Sequence, residues 1–274
     1  MLYAIRFLNM FLPLLYLGLM ALNIAWFVYQ DQRARLHKKW LLPTTLALHL
    51  VELVLRGLYN GYFPIATVFE AASVLAFCLM LVYYLVEHLQ KVQTTGPFFM
   101  IIVFSLQLFS SAFVEFSGDI SPLLSSGMFI LHTSAAMLSY ATIFAASIYA
   151  LMYLLLFYQI RSARYGLFYR RLPTLEQLEL LNARALTFGF LLLTFLIFQG
   201  VIWRKSLFPE DGHFDPQVVF AYAIWVLYGV TLLVKRFATL SGKWLAICTI
   251  SGFLLILTSL ITVNFILSSF HRFH

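Results

Sequence analysis

Two histidines end two of the longest apolar runs in this chain. His132 opens MFILHTSAAMLSYATIFAASIYALMYLLL near its start, and His271 closes WLAICTISGFLLILTSLITVNFILSSFH. If the two runs cross a bilayer in opposite directions, both imidazoles reach the same surface. There they could act as the axial pair of a haem iron, which asks for ring nitrogens about 4 Å apart. A third imidazole, His49, stands in mid-run, with Glu52 and Arg56 following at i+3 and i+7 on one helical face. Ionisable groups at membrane depth are costly, so each is a functional candidate. A neutral histidine can ligate iron through one nitrogen while its other N–H finds an acceptor. It can equally tie two helices together by a hydrogen bond, and for His49 both readings stay open.

The elements that must position these rings follow from composition. The chain has 274 residues, 62% hydrophobic and 11% charged. A soluble domain would carry about a quarter charged residues, so this is an all-α integral membrane protein. The apolar runs are of helix length for a hydrocarbon core of about 30 Å. Continuous helices also satisfy their own backbone groups in lipid. Eight spans are expected, over 8–29, 40–57, 66–87, 97–116, 128–158, 185–203, 218–234 and 244–270. They form a single polytopic membrane domain, 1–274, with no linker dividing it.

Basic residues set the expected orientation. Arg33, Arg35, Lys38, Lys39, Lys91, Arg161, Arg164, Arg170, Arg171, Arg184, Lys235, Arg236 and Lys243 fall in the odd-numbered loops. Only Arg6, Arg56, Arg204, Lys205 and Arg272 fall on the other side. Both termini are therefore expected outside, and His132 and His271 at the outer face. The net charge of +7 suits loops facing anionic lipid. The dispersal of the basic residues argues against nucleic acid as a partner. The first span is not expected to be a cleaved signal peptide, because its positive flank follows the apolar run.

Within the loops, Thr174 and Gln177 form a T-x-x-Q capping box. With Leu175, Leu178 and Leu181 on one face, it marks either a separate amphipathic helix on the membrane surface or an extension of the sixth span. Glu70 heads the third span, and an ion pair with Arg56 closing the second outer loop is expected. Asn264 is a candidate helix-packing group on the face of His271. The sixth loop, GVIWRKSLFPEDGHFDPQ, holds Trp203, a solvated His213, and the F-D-P tripeptide of Phe214, Asp215 and Pro216, where Pro216 should start the seventh helix. Cys78 and Cys248 lie inside apolar runs without a C-x-x-C and read as packing residues. No G-x-S-x-G, H-E-x-x-H or phosphate loop is present. No catalytic residues are assigned, and the chain is expected not to be an enzyme.

Four stretches resemble one family, the CcsA/ResC/HemX-type cytochrome c assembly membrane proteins, over about residues 45–272. They are the His49 helix followed by GYFPIATVFE, then HTSAAMLSYA, then LPTLEQLELLNARALTFGFLLLTF with GVIW, and finally VNFILSSFH. The resemblance implies a haem-handling protein of the bacterial inner membrane. Haem b would be held non-covalently by His132 and His271, beside Trp203, Phe214 and Asp215, with His49 at a haem site within the membrane. It implies a CcsB-type partner and apocytochrome c, any ligase activity needing that partner. Leu233 stands where the family has a second intramembrane histidine, and Gly212 and Phe214 stand where it has tryptophans. The HemX-like branch implies the alternative, an accessory or regulatory protein acting with a haem biosynthesis enzyme and lacking ligase activity.

Overall fold

The computed structural model describes residues 1–113, 122–207, 216–238 and 240–262, and among these all regular structure is helical. Among the described residues eight helices are long and apolar enough to cross a membrane, as the hydropathy pattern requires. They are α1 (Leu2–Tyr29), α2 (Gln32–Asn60), α3 (Val68–Gln90), α4 (Gly96–Phe113), α5 (Gly127–Arg161), α7 (Leu175–Leu207), α8 (Pro216–Phe237) and α9 (Gly242–Ile261); α6 is a five-residue helix, Leu167–Arg171. α1, α2, α5, α7 and α8 outrun the expected apolar runs, because hydropathy sees only the hydrocarbon-facing part of each. The chain divides into two compact units, Met1–Ile130 with Gly166–Pro173, and Leu131–Tyr165 with Thr174–His274.

In the first unit α1 packs on α2 and α4, and α3 packs on α2 and α4, so the four helices close into a bundle. Its turns are chemically specified. Asp31 accepts a hydrogen bond from the Arg33 N–H at 2.9 Å and starts α2. Gly61 ends α2 at φ 75°, a left-handed conformation that suits glycine, and its N–H bonds the Gly57 carbonyl. Thr67 caps α3 by accepting from the Glu70 N–H. Glu70 closes the loop between α2 and α3, but by a route the sequence did not suggest. It accepts from the Ala66 N–H at 2.8 Å and from the Tyr62 hydroxyl at 3.2 Å, while Arg56 pairs with Glu52 one turn back on α2. Burial and the nearby Glu70 carboxylate push the Tyr62 phenol up to about 12, so it remains a donor.

Near the other end of this bundle, Lys38 is buried rather than solvated. Its ammonium donates to Asn23 Oδ1, the Tyr83 hydroxyl and the Gln93 carbonyl, and pairs with Glu87 at 3.0 Å. This one side chain joins α1, α2, α3 and the loop before α4.

In the second unit α7, α8 and α9 pack on one another, and α5 lies antiparallel to α7. Ser139 Oγ donates to the Gly189 carbonyl at 3.1 Å. A Cβ at Gly189 would sit 2.7 Å from Ile143 Cγ1 and 3.3 Å from the Ile143 backbone nitrogen. Glycine is what lets these two backbones meet, the usual device where lipid offers no hydrophobic drive between helices. Phe144 stacks on Phe253 with ring centroids 4.5 Å apart, tying α5 to α9. The capping box forms reciprocally, with the Gln177 N–H donating to Thr174 Oγ1 and the Thr174 N–H to Gln177 Oε1. It starts α7 itself, so the amphipathic segment is the extension of the sixth span, its Leu178 and Leu181 buried.

Two substitutions test these contacts by thermal unfolding of the purified protein in detergent. Gly189→Leu is expected to overpack the α5–α7 contact at a cost of about 1–3 kcal/mol. Lys38→Met should cost more, about 3–5 kcal/mol, by stranding the Glu87 carboxylate. An unchanged midpoint for either variant would remove that contact from the account of stability.

Candidate functional site

Ser126 begins α5, its hydroxyl accepting from the Phe129 N–H and its carbonyl from the Ile130 N–H. His132 therefore falls near the start of the helix. Because α5 and α7 run antiparallel, the last turns of α7 lie opposite, and they present Gln199, Gly200 and Trp203. Gln199 and Trp203 are four residues apart and share a face. His132 Nδ1 lies 2.5 Å from Gln199 Oε1. An amide oxygen only accepts, so Nδ1 carries the proton, and in the neutral ring the lone pair is on Nε2. The His132 and Trp203 rings are 5.6 Å apart and tilted by 45°. Gly200 makes room for this arrangement: a Cβ there would lie 3.1 Å from His132 Cε1.

An imidazole whose Nδ1–H is held by a carbonyl oxygen is oriented for ligation through Nε2. The donor set thus fits one axial position of a haem iron, with the buried Trp203 indole as an apolar surface alongside. Among the described residues no group of three or more His, Cys, Asp or Glu side chains could hold a bare metal ion. His271, Phe214 and Asp215 lie outside the described residues, as do His213, Gly212 and Asn264. Leu233 is on an exposed face of α8. Sequence reasoning singled out His132 and Trp203 as candidates and did not consider Gln199. The available signal was a lone amide in the sixth apolar run, one turn before Trp203.

His49 is in the first unit, completely buried, and engaged at both nitrogens. Nδ1 is 2.7 Å from the Tyr16 hydroxyl and Nε2 is 3.0 Å from Ser73 Oγ. Ser73 gives its only hydrogen to Gln107 Oε1 at 3.1 Å, so Ser73 must accept from His49 Nε2–H. Nδ1 is then the acceptor, and Tyr16 donates to it. Gln107 in turn donates to Ser111 Oγ, and the Ser111 carbonyl accepts from Asn9 Nδ2. Asn9 Oδ1 accepts from Arg56, which also donates to Glu52. The result is a polar network through α1, α2, α3 and α4 whose two arms of donors converge on Ser111, and in which both ring nitrogens of His49 have protein partners. Tyr16, Ser73 and Gln107 were passed over in the sequence, because single polar residues in apolar runs carry no periodic signal.

A double-mutant cycle on Tyr16 and His49 tests this chain. His49→Phe strands the buried Tyr16 hydroxyl at a cost of about 1–3 kcal/mol. Adding Tyr16→Phe should return part of that loss, so the double variant melts above the additive expectation. Strict additivity would show that the two groups are not coupled.

Comparison with known proteins bears on the whole chain. A family model described as cytochrome C assembly protein matches residues 7–271. Among bacterial relatives, the cytochrome c biogenesis protein CcsA of Prochlorococcus marinus is 29% identical, covering 81% of this chain and 79% of its own length. The proteins of that name from a Synechococcus strain and from Parasynechococcus marenigrum are 27% and 26% identical, each aligned over 93% of this chain and 92% of the relative. With eight apolar helices and bacterial relatives of this kind, the chain is a multi-pass protein of the bacterial inner membrane. It belongs to the cytochrome c assembly protein family.

Proposed function

We propose that this protein receives haem b as cargo and presents it at the outer face of the membrane for cytochrome c biogenesis. His132 is one axial ligand and His271 the other, with Trp203, Phe214 and Asp215 around the porphyrin edge. One observation carries the reading: the Gln199 amide oxygen fixes the His132 proton on Nδ1 and so places the lone pair on Nε2. The name of the CcsA relatives supports the biological setting. The excess of basic residues in the odd-numbered loops supports the outward placement of the His132 end and of both termini.

The chain's own work in this reading is to bind and orient. Haem supplies an iron with two open axial positions, and the residues fix its height and tilt. Gln199 is a positioning residue, since it acts through His132. Transfer of haem to apocytochrome c calls for groups from a CcsB-type partner, because the residues assigned here include no nucleophile or general acid.

Absorption spectroscopy of the purified chain titrated with haem is the test. The wild type should show a sharp low-spin Soret band, lost in both His132→Ala and His271→Ala. Gln199→Leu should weaken haem affinity by about 10–100-fold, while Gln199→Glu keeps the acceptor and retains binding. A low-spin band indifferent to both histidines would overturn the assignment. A phosphatase reporter fused after His274 is expected to be active outside the cytoplasm; a silent reporter would reverse the orientation.

A further inference from the structure

The first turns of α2 carry exposed cations beside an apolar groove. Between Leu22 and Thr44 the sequence holds one acid, Asp31, against Arg33, Arg35, Lys38 and Lys39. Asp31 caps α2 through the Arg33 N–H, and Lys38 is buried on Glu87. Arg33, Arg35 and Lys39 stay exposed, with the Arg35 guanidinium 5.3 Å from the centre of the Trp26 ring. His37, also exposed, donates from Nδ1 to the Arg33 carbonyl at 2.7 Å, so the ring is fixed and Nε2 is the nitrogen left for a ligand. An open groove of about 430 Å³ is lined by Leu22 of α1 and by His37, Trp40, Leu41 and Thr44 of α2. Arg33, His37, Trp40, Leu41 and Thr44 fall at i, i+4, i+7, i+8 and i+11, one stripe of the helix. Arg33 is about 6 Å nearer the helix start than His37. Going into the membrane, the stripe runs guanidinium, imidazole, indole and then aliphatic groove.

We propose that this groove binds an anionic phospholipid, its phosphate held between Arg33 and His37 and one acyl chain laid along Leu22, Leu41 and Thr44. The order of the stripe is the order of such a lipid: phosphate, ester carbonyls, hydrocarbon. A guanidinium can pair two phosphate oxygens at once. A second proton on the His37 ring adds a charged donor at Nε2, while Nδ1 keeps the Arg33 carbonyl. Trp40, 75% exposed, follows the two cationic groups where an indole N–H meets the ester region of the bilayer. The exposed cations favour a lipid of net negative charge over a zwitterionic one, and by the charge count this end of α2 is cytoplasmic, the side where anionic lipid sets the surface potential. Free phosphate would satisfy the two donors and leave the apolar groove empty, so the groove makes a lipid the occupant. The site uses none of the residues assigned to haem.

The full-length protein in detergent, mixed with dioleoyl phosphatidylglycerol or dioleoyl phosphatidylcholine, tests this by native mass spectrometry for retained lipid and by thermal unfolding. Phosphatidylglycerol should be retained and should raise the melting midpoint; phosphatidylcholine should do neither. Arg33→Gln and His37→Phe should each lower retention several-fold. Thr44→Trp, which fills the groove from an exposed position, should abolish it. Lys39→Gln removes an equal charge from outside the stripe and should leave retention unchanged, and inorganic phosphate should not displace the lipid. Equal retention of the two lipids, a loss in Lys39→Gln as large as in Arg33→Gln, or retention indifferent to Thr44→Trp overturns the site. A dimer or a haem-bearing species that Thr44→Trp removes in place of lipid shows another occupant and likewise overturns it.

Discussion

The approach of α5 to α7 at Gly189 is the contact on which the candidate site depends. Between lipid-embedded helices there is no hydrophobic drive, and association rests on close packing and a few interhelical hydrogen bonds. The missing Cβ of Gly189 and the bond from Ser139 to its carbonyl set the register of the pair. From that point His132 is two turns toward the start of α5, and Gln199 and Trp203 are three to four turns toward the end of α7. Antiparallel helices in this register bring the three side chains together without any loop having to place them.

The first unit solves a different problem with the same chemistry. Polar groups in hydrocarbon must find partners within the protein, and here they find them as a chain running from Tyr16 through His49, Ser73 and Gln107 to Ser111. Lys38 closes the bundle near its opposite end by joining three helices and a loop. The contrast between His49 and His132 is instructive. Both are imidazoles on membrane helices, yet His49 meets hydroxyls at both nitrogens while His132 Nδ1 is held by an amide oxygen.

The number and order of the spans were legible in the sequence because lipid enforces long apolar runs. Their ends were less so. α2 begins at Gln32 rather than near 40, because a helix carrying Lys38 can bury that charge among polar groups that hydropathy does not see. The capping box of Thr174 and Gln177 was legible as a helix start, being a local pattern, but which helix it starts depended on whether the chain continued unbroken into the sixth span, as it does. The expected closure of the second outer loop by Arg56 and Glu70 took another form, since a backbone N–H and a tyrosine hydroxyl lay closer to Glu70 than side-chain charge could reveal.

What the sequence by itself determined is therefore the all-helical membrane class, the eight apolar runs, the family resemblance, and His132 with Trp203 as site candidates. These are written in composition and local motif. Only the tertiary structure decided which nitrogen of His49 and of His132 carries its proton. Gln199 opposite His132, Tyr16 and Ser73 about His49, and Gln107 behind Ser73 come from other helices, 24 to 67 residues away in the chain. The tautomer is a property of those partners and of no sequence window.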